Sequence, residues 1–370
     1  MLIVDAHQDL AWNMLSFGRD YTRPVAETRR LEAGGPTPEL NGESLLGWPE
    51  YQQGRVALVF VSLFATPARL CTGTWKKMCY ADSAQAARLY RAQIDVYERL
   101  VDEHPDKFRP VKTRPDLEKV LAEWRGFLEQ EPAPGDPETR HGPPMGLVYL
   151  MEGADCIQDP GELEEWWQRG VRIIGPAWSG NRFCGGTREP GPLTAQGVAL
   201  LERMADLSFG LDLTHMDEQA ALQALDSYPG TFLASHSNAQ ALLKDSAGNR
   251  HLSDRVIDGI LGRDGVIGVV PFNQFLKPGW RIGDPRQEVQ MERVVAQIDY
   301  YCQMAGDARH VGLGTDFDGG FGVQSVPVGI DSIADLSRLA PLLAERGYAP
   351  DDIAAVMGEN WISLLKRILP

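Results

Sequence analysis

The chain is poor in the residues that would place it in several protein classes. Only five cysteines occur in 370 residues. They are Cys71, Cys79, Cys156, Cys184 and Cys302, an odd set without a C-x-x-C pair. Neither a disulfide framework nor a thiolate zinc site is supported by that spacing. Cys71 and Cys79 are near enough to pair across a loop, but two reduced thiols are expected. No apolar run approaches the roughly 20 residues that cross a bilayer. The opening Met1-Leu2-Ile3-Val4-Asp5 has neither the basic stretch nor the long apolar stretch of a signal peptide. A cytoplasmic location with no membrane association is therefore expected. Positive charge is also in deficit, with 36 Lys and Arg against 51 Asp and Glu and a net charge of −15. Gripping a phosphate backbone requires clustered Lys and Arg, so nucleic acid is excluded as a partner.

What the chain does have is an alternation of short apolar runs, rich in β-branched residues, with longer segments of helical periodicity. That is the pattern of βα units and a parallel sheet. Strands are predicted at 2–7, 56–65, 146–152, 171–178, 209–215, 231–236, 266–272 and 310–316. Runs such as VALVFVSLFA and VIGVVPF are nearly continuous in apolar residues, as strands covered on both faces are. Helices are predicted at 83–103, 194–206, 217–226 and 288–305, with Asp217 placed as an N-cap. The stretch 351–369 reads as two short helices broken near Gly358. Together these predict an α/β fold, one (β/α)8 barrel domain of TIM type over residues 1–370. Two segments exceed a minimal barrel. Residues 11–54, rich in Gly, Pro and charge, read as a long functional loop. Residues 129–144 read as a solvated connector.

The reactive side chains cluster by position. His7 and Asp9, Glu152, His215, His236 and Asp316 all follow apolar runs at the C-terminal ends of predicted strands. In a (β/α)8 barrel those ends share one rim, where active sites lie. His7 and Asp9 are two apart, so an extended backbone points both the same way, which suits metal ligation. Taken alone, an aspartate capping a helix beside an incidental histidine is an equal reading. Glu152, behind five apolar residues, is costly to bury unless paired or metal-bound; a salt bridge to a rim arginine is its bland alternative. A lone histidine at a strand end is more often a hydrogen-bonded core residue. His215 and His236 on adjacent strands, facing the same mouth as the H-x-D pair, shift that balance toward ligands. Asp212 falls on the opposite face from His215 and reads as structural. Asp316, in G-T-D-F-D-G, suits a general base and acid, with a further metal ligand as its alternative. Asp318 reads as a turn residue, and His251 as a surface residue.

The motifs H-Q-D-L, M-E-G, D-L-T-H, S-H-S-N-A, N-R-x-x-x-D and G-T-D-F-D-G resemble, in order, those of the membrane (renal) dipeptidase family of the amidohydrolase superfamily. The resemblance runs from His7 to the C-terminal G-E-N-W-I-S-L-L segment. It implies a metallo-dependent hydrolase barrel with two zinc ions, one on His7, Asp9 and Glu152, the other on Glu152, His215 and His236. By it Glu152 bridges the ions, Asp316 transfers protons, and Arg250 grips the substrate's terminal carboxylate. The implied activity is cleavage of dipeptides or similar small carboxylated amides by a metal-bridging hydroxide. A homodimer is also suggested. The chain departs from the family pattern where a strand-4 histidine contacts the substrate carbonyl: V-R-I-I-G-P-A-W puts Trp178 there. Strand 7 reads P-F-N, placing Asn273 where the family has an aromatic residue. Both are taken as substrate-binding positions. The departure leaves open a different small amide as substrate, or a barrel that binds metal and ligand without hydrolysing peptides.

Overall fold

The computed structural model describes residues 1–71, 77–130, 142–244 and 248–370. Eight parallel strands close on themselves: β1 (Ile3–Gln8), β2 (Val56–Leu63), β3 (Met145–Glu152), β4 (Val171–Gly175), β5 (Gly210–Asp212), β6 (Phe232–Ala234), β7 (Val266–Val269) and β8 (Val311–Leu313). Each pairs with the next in sequence, and β1 also pairs with β8 at Asp5 and Leu313. Every strand lies where an apolar run predicts one, and the barrel expected from the sequence is the barrel found.

The wide β2–β3 ladder, Leu58 opposite Gly146 through Leu63 opposite Met151, is buried along its whole length. Both its faces are covered, which is why these runs do not alternate. Alternation within each strand puts Leu58, Phe60 and Ser62 on one face, and Val148, Leu150 and Glu152 on another. The apolar members of both sets join one cluster with Val4, Ile173 and Leu233. The faces that build this cluster thus end, at their C-terminal tips, in polar groups.

The C-terminal helices pack against the same cluster through Trp361 and Leu365, and the Trp361 indole donates to Leu313 O at 3.0 Å. No break occurs near Gly358. The helix passes from Pro350–Ala354 through a π-helical turn, Ala355–Glu359, into Asn360–Ile368. The glycine serves close approach: a Cβ on Gly358 would lie 3.0 Å from Leu2 O and 3.2 Å from Val4 Cγ2. Among the described residues no helix is long and apolar enough to cross a bilayer.

Residues 11–54 are not a loop. With Leu10 they form four short helices, Leu10–Phe17, Val25–Glu32, Thr37–Asn41 and Trp48–Gln53. Helices this short need tertiary support, and Asp318 supplies it. Its buried carboxylate accepts from Tyr21 Oη (3.1 Å), Ser44 Oγ (2.7 Å) and Leu45 N (2.8 Å), and pairs with Arg19 Nη1 at 2.9 Å. Its carbonyl accepts from Asn13 and Asn41, both at 2.9 Å. Asp318 is therefore the anchor of this segment rather than a turn residue. Asp318→Ala leaves a buried guanidinium and several donors unpaired. It is expected to cost about 3 kcal/mol in urea denaturation; a loss below about 1 kcal/mol would remove Asp318 as the anchor.

Cys71 and Cys79 form a disulfide, against the expectation of two thiols. Short parallel strands, Thr66–Pro67 and Cys79–Tyr80, place Thr66 opposite Cys79. Their pairing brings the two cysteine Cα atoms to 6.5 Å, within reach of a bridge. Most of the predicted connector at 129–144, namely 131–141, lies outside the described residues.

Candidate metal centre

The barrel gathers His7, Asp9, Glu152, His215, His236 and Asp316 at one mouth. His7 lies in β1, and Glu152 ends β3. The others stand just beyond their strands, where the backbone turns. His215 and Asp316 adopt left-handed conformations, with φ of 68° and 57°. Such a conformation is unfavourable for a side-chain-bearing residue and persists where the surroundings fix it. Here it turns two polar side chains back toward the mouth.

The spacing is that of ligands around missing cations. His7 Nε2 lies 3.5 Å from Glu152 Oε2, 3.7 Å from Asp9 Oδ1 and 4.0 Å from Asp316 Oδ1. On the other side Glu152 Oε1 lies 3.0 Å from His215 Nε2 and 3.4 Å from His236 Nε2. The two histidine Nε2 atoms are 3.1 Å apart. Ligand atoms about 2.0–2.2 Å from a tetrahedral ion stand roughly 3.3–3.6 Å from one another. Both ring nitrogens of His7 are buried without a hydrogen-bond partner, an arrangement costly to keep unless something else satisfies them. Three ligand groups are possible: His7–Asp9–Glu152, Glu152–His215–His236, and His7–His236–Asp316. The residues present fit a pair of divalent cations.

The protonation pattern agrees with that fit. Burial pushes the Glu152 carboxyl up, but His7, His215 and His236 outweigh it and hold the group well below the usual range. Burial pushes His215 down to about 4, with Arg250 adding to the effect. His236 is lowered by burial and by His7. An ionised carboxylate and two neutral imidazoles are the forms that bind metal. His7 is the exception. Burial disfavours its charge, yet Glu152 and Asp9 carry its pKa above the usual value, so a cation there has a proton to displace. Burial raises Asp316, with His7 opposing and Asp9 and Glu152 adding.

Neighbouring hydroxyls orient the set. Thr187 Oγ1 meets His215 Nδ1 at 2.9 Å, and Ser235 Oγ meets His236 Nδ1 at 2.8 Å, leaving each Nε2 toward the centre. The Ser62 hydroxyl donates to Asp9 Oδ1. Asp212 is structural, as its place in the alternation predicts: its carboxylate accepts from Thr214 N and Ser235 N, both at 2.9 Å. The sequence gave no signal for Thr187, which lies between the paired strands Cys184–Gly186 and Glu189–Leu193. Ser235 was visible only as the neighbour of His236.

Above the centre opens a cavity of about 720 Å³. Asp9, Glu152, His215 and Asp316 line it, and two aromatic groups form much of the rest. In one, Trp178 lies 5.2 Å from Phe64 and 6.0 Å from His215, ring to ring. The other is built on Phe272. Arg250 also lines the cavity. Its Nη2 donates to His236 O at 2.8 Å, and among the described residues no carboxylate lies within ion-pair distance of it. Asn273 does not reach the cavity. Its buried amide donates to Val326 O at 3.2 Å, while its neighbours Phe272 and Gln274 form the wall; a substrate contact by Asn273 is thereby withdrawn. His251, expected at the surface, instead lines the cavity with its ring 4.9 Å from Phe275. Burial pushes its pKa down to about 3, with Arg250 adding.

Comparison with known proteins agrees with this geometry. A protein of Klebsiella pneumoniae from the pqqA 5′ region, itself uncharacterized, is 31% identical over 263 residues, 68% of this chain and 93% of that one. The dipeptidase tcpJ of Claviceps purpurea is 23% identical over 342 residues, 90% of this chain and 71% of that one. A metallopeptidase from Rhodobacter sphaeroides, solved with a phosphinate mimic of the dipeptide L-Ala-D-Ala, superposes with a TM-score of 0.75 at 23% identity, covering 100% and 99% of the two chains. Residues 138–369, more than half of the sequence, match the family described as membrane dipeptidase, peptidase family M19. The chain belongs to that family, the M19 metallopeptidases of the amidohydrolase superfamily.

Proposed function

We propose that the protein hydrolyses the amide bond of dipeptides, or of similar small amides with a free carboxylate, using two zinc ions. His7, Asp9 and Glu152 would hold one, and Glu152, His215 and His236 the other. The observation that carries this reading is the division of Glu152, whose two oxygens face different sets of imidazoles. Bound there, the cations would polarise the scissile carbonyl and make water nucleophilic at neutral pH. The chain's own groups do the remaining work. The Asp316 carboxylate takes a proton from the attacking water and delivers it to the departing nitrogen. The guanidinium of Arg250, held to the carbonyl of His236, pairs with the substrate carboxylate and fixes the amide over the centre. The aromatic walls exclude bulk water and so strengthen these charge interactions. The Rhodobacter sphaeroides relative, bound to its dipeptide mimic, supports a ligand of dipeptide size.

Trp178 favours a second reading. An indole offers one donor and does not titrate, and it stands where the family places a carbonyl-contacting histidine. An N-acyl amino acid or lactam would then replace the dipeptide. The test is metal analysis on protein purified without chelator, with dipeptide hydrolysis assayed on the same sample. About two zinc ions per chain together with hydrolysis are expected. Two ions without dipeptide hydrolysis would move the substrate to the second class. No metal after zinc is restored would overturn the mechanism.

A further inference from the structure

We propose that this protein selects dipeptides whose C-terminal residue carries a bulky apolar side chain, through an aromatic wall beside Arg250. The inference rests on the reading of Arg250 as the carboxylate-binding group. Arg250 does not stand in a polar recess: its Cζ lies 5.1 Å from the centre of the Phe275 ring. Phe275 packs on Phe272 at 4.8 Å, and Phe272 stacks on Phe321 at 4.3 Å with Trp280 at 6.4 Å. All four rings line the cavity, together with Ile282, which is 66% exposed and offers apolar surface for a ligand to cover.

Covalent geometry does the rest. The side chain of a C-terminal residue branches from the carbon that bears the carboxylate, about 2.5 Å from the carboxylate oxygens. Once the carboxylate meets Arg250, that side chain is held within van der Waals reach of the rings around Phe275. Buried apolar side chains gain from such contact, and aromatic ones also gain from offset or edge-on ring packing. A cationic side chain gains nothing comparable. Among the described residues, the only acids lining the cavity are Asp9, Glu152 and Asp316, all committed to the metal centre, while Arg188 and Arg281 add positive charge. Neutral His251 supplies no counter-charge.

The test uses dipeptides with alanine at the N-terminus and Gly, Ala, Leu, Phe or Lys at the C-terminus. Alongside them, calorimetry measures binding of the non-hydrolysable phosphinate analogues of Ala-Gly and Ala-Phe to the zinc-loaded protein. Ala-Leu and Ala-Phe are expected to exceed Ala-Gly by about 10–100-fold in kcat/KM, with Ala-Lys no better than Ala-Gly. Phe275→Ala and, separately, Phe272→Ala should bring the Phe-to-Gly ratio toward one. A ratio is read within each variant, so partial loss of folded protein cancels. A ratio near one in the unaltered protein, or a preference that survives both substitutions, overturns the proposal. Should no dipeptide be cleaved, the hydrolytic reading fails separately, and the phosphinates decide the inference. Tighter binding of the Ala-Phe analogue by tenfold or more, lost in Phe275→Ala, sustains it; equal binding, or none, overturns it.

Discussion

Asp316→Asn is expected to lower kcat/KM for a dipeptide by about a thousandfold, while zinc content on the same preparation stays at the level of the unaltered protein. Asparagine has the size of aspartate but carries no exchangeable carboxyl proton, so the substitution removes the proposed proton transfer and little else. Positioned acid–base groups contribute about 10²–10⁴-fold to rate. The site is built to hold this side chain in place. The Asp316 amide donates to His7 O at 3.1 Å. Room for the carboxylate is kept by Gly319, where a Cβ would fall 2.1 Å from Asp316 Oδ1. Metal analysis separates the two roles open to this residue, since Asp316 also forms a possible ligand group with His7 and His236. Activity and zinc lost together would make Asp316 a ligand, and retained activity would deny it any part in proton transfer.

The barrel was legible because strands covered on both faces need apolar residues at nearly every position, and such runs stand out between amphipathic helices. Their N-terminal boundaries were read closely and their C-terminal ones too far. The predicted strand at 209–215 stops at Asp212, and the one at 171–178 stops at Gly175. The sequence stays apolar beyond the ladder because the turns that follow are buried too. His215 sits in such a turn, and its left-handed backbone left no mark on the apolar pattern. The ligand candidates were visible for an energetic reason: a carboxylate or imidazole following an apolar run is costly to bury without a partner. What stayed hidden depends on contacts between distant segments. The order of residues 11–54 comes from Asp318, nearly 300 positions away. The disulfide depends on a pairing of only two residues per strand, too short to show as a pattern. Asn273 was misplaced because a strand-end position does not fix a side-chain direction once the chain enters a tight turn.

Glu152→Gln is expected to produce the complementary result, with zinc falling from about two ions per chain to one or fewer and hydrolysis lost by about a thousandfold or more. Glu152 is the one side chain common to the first two ligand groups. One of its oxygens serves His7, and the other serves His215 and His236. Glutamine keeps the shape but exchanges one oxygen for an amide nitrogen, which donates and does not ligate. Whichever way the amide turns, one set loses a ligand and gains a donor pointed at it. The negative charge that balances His7 disappears as well. A thermal melt offers a second measure: zinc that binds only the folded state raises Tm in proportion to the logarithm of its saturation. The rise on adding zinc should therefore be smaller in Glu152→Gln than in Asp316→Asn, which keeps both sites. Two tightly held ions in Glu152→Gln, with a full rise in Tm, would show that the ions do not share Glu152, and the bridged arrangement would have to be given up.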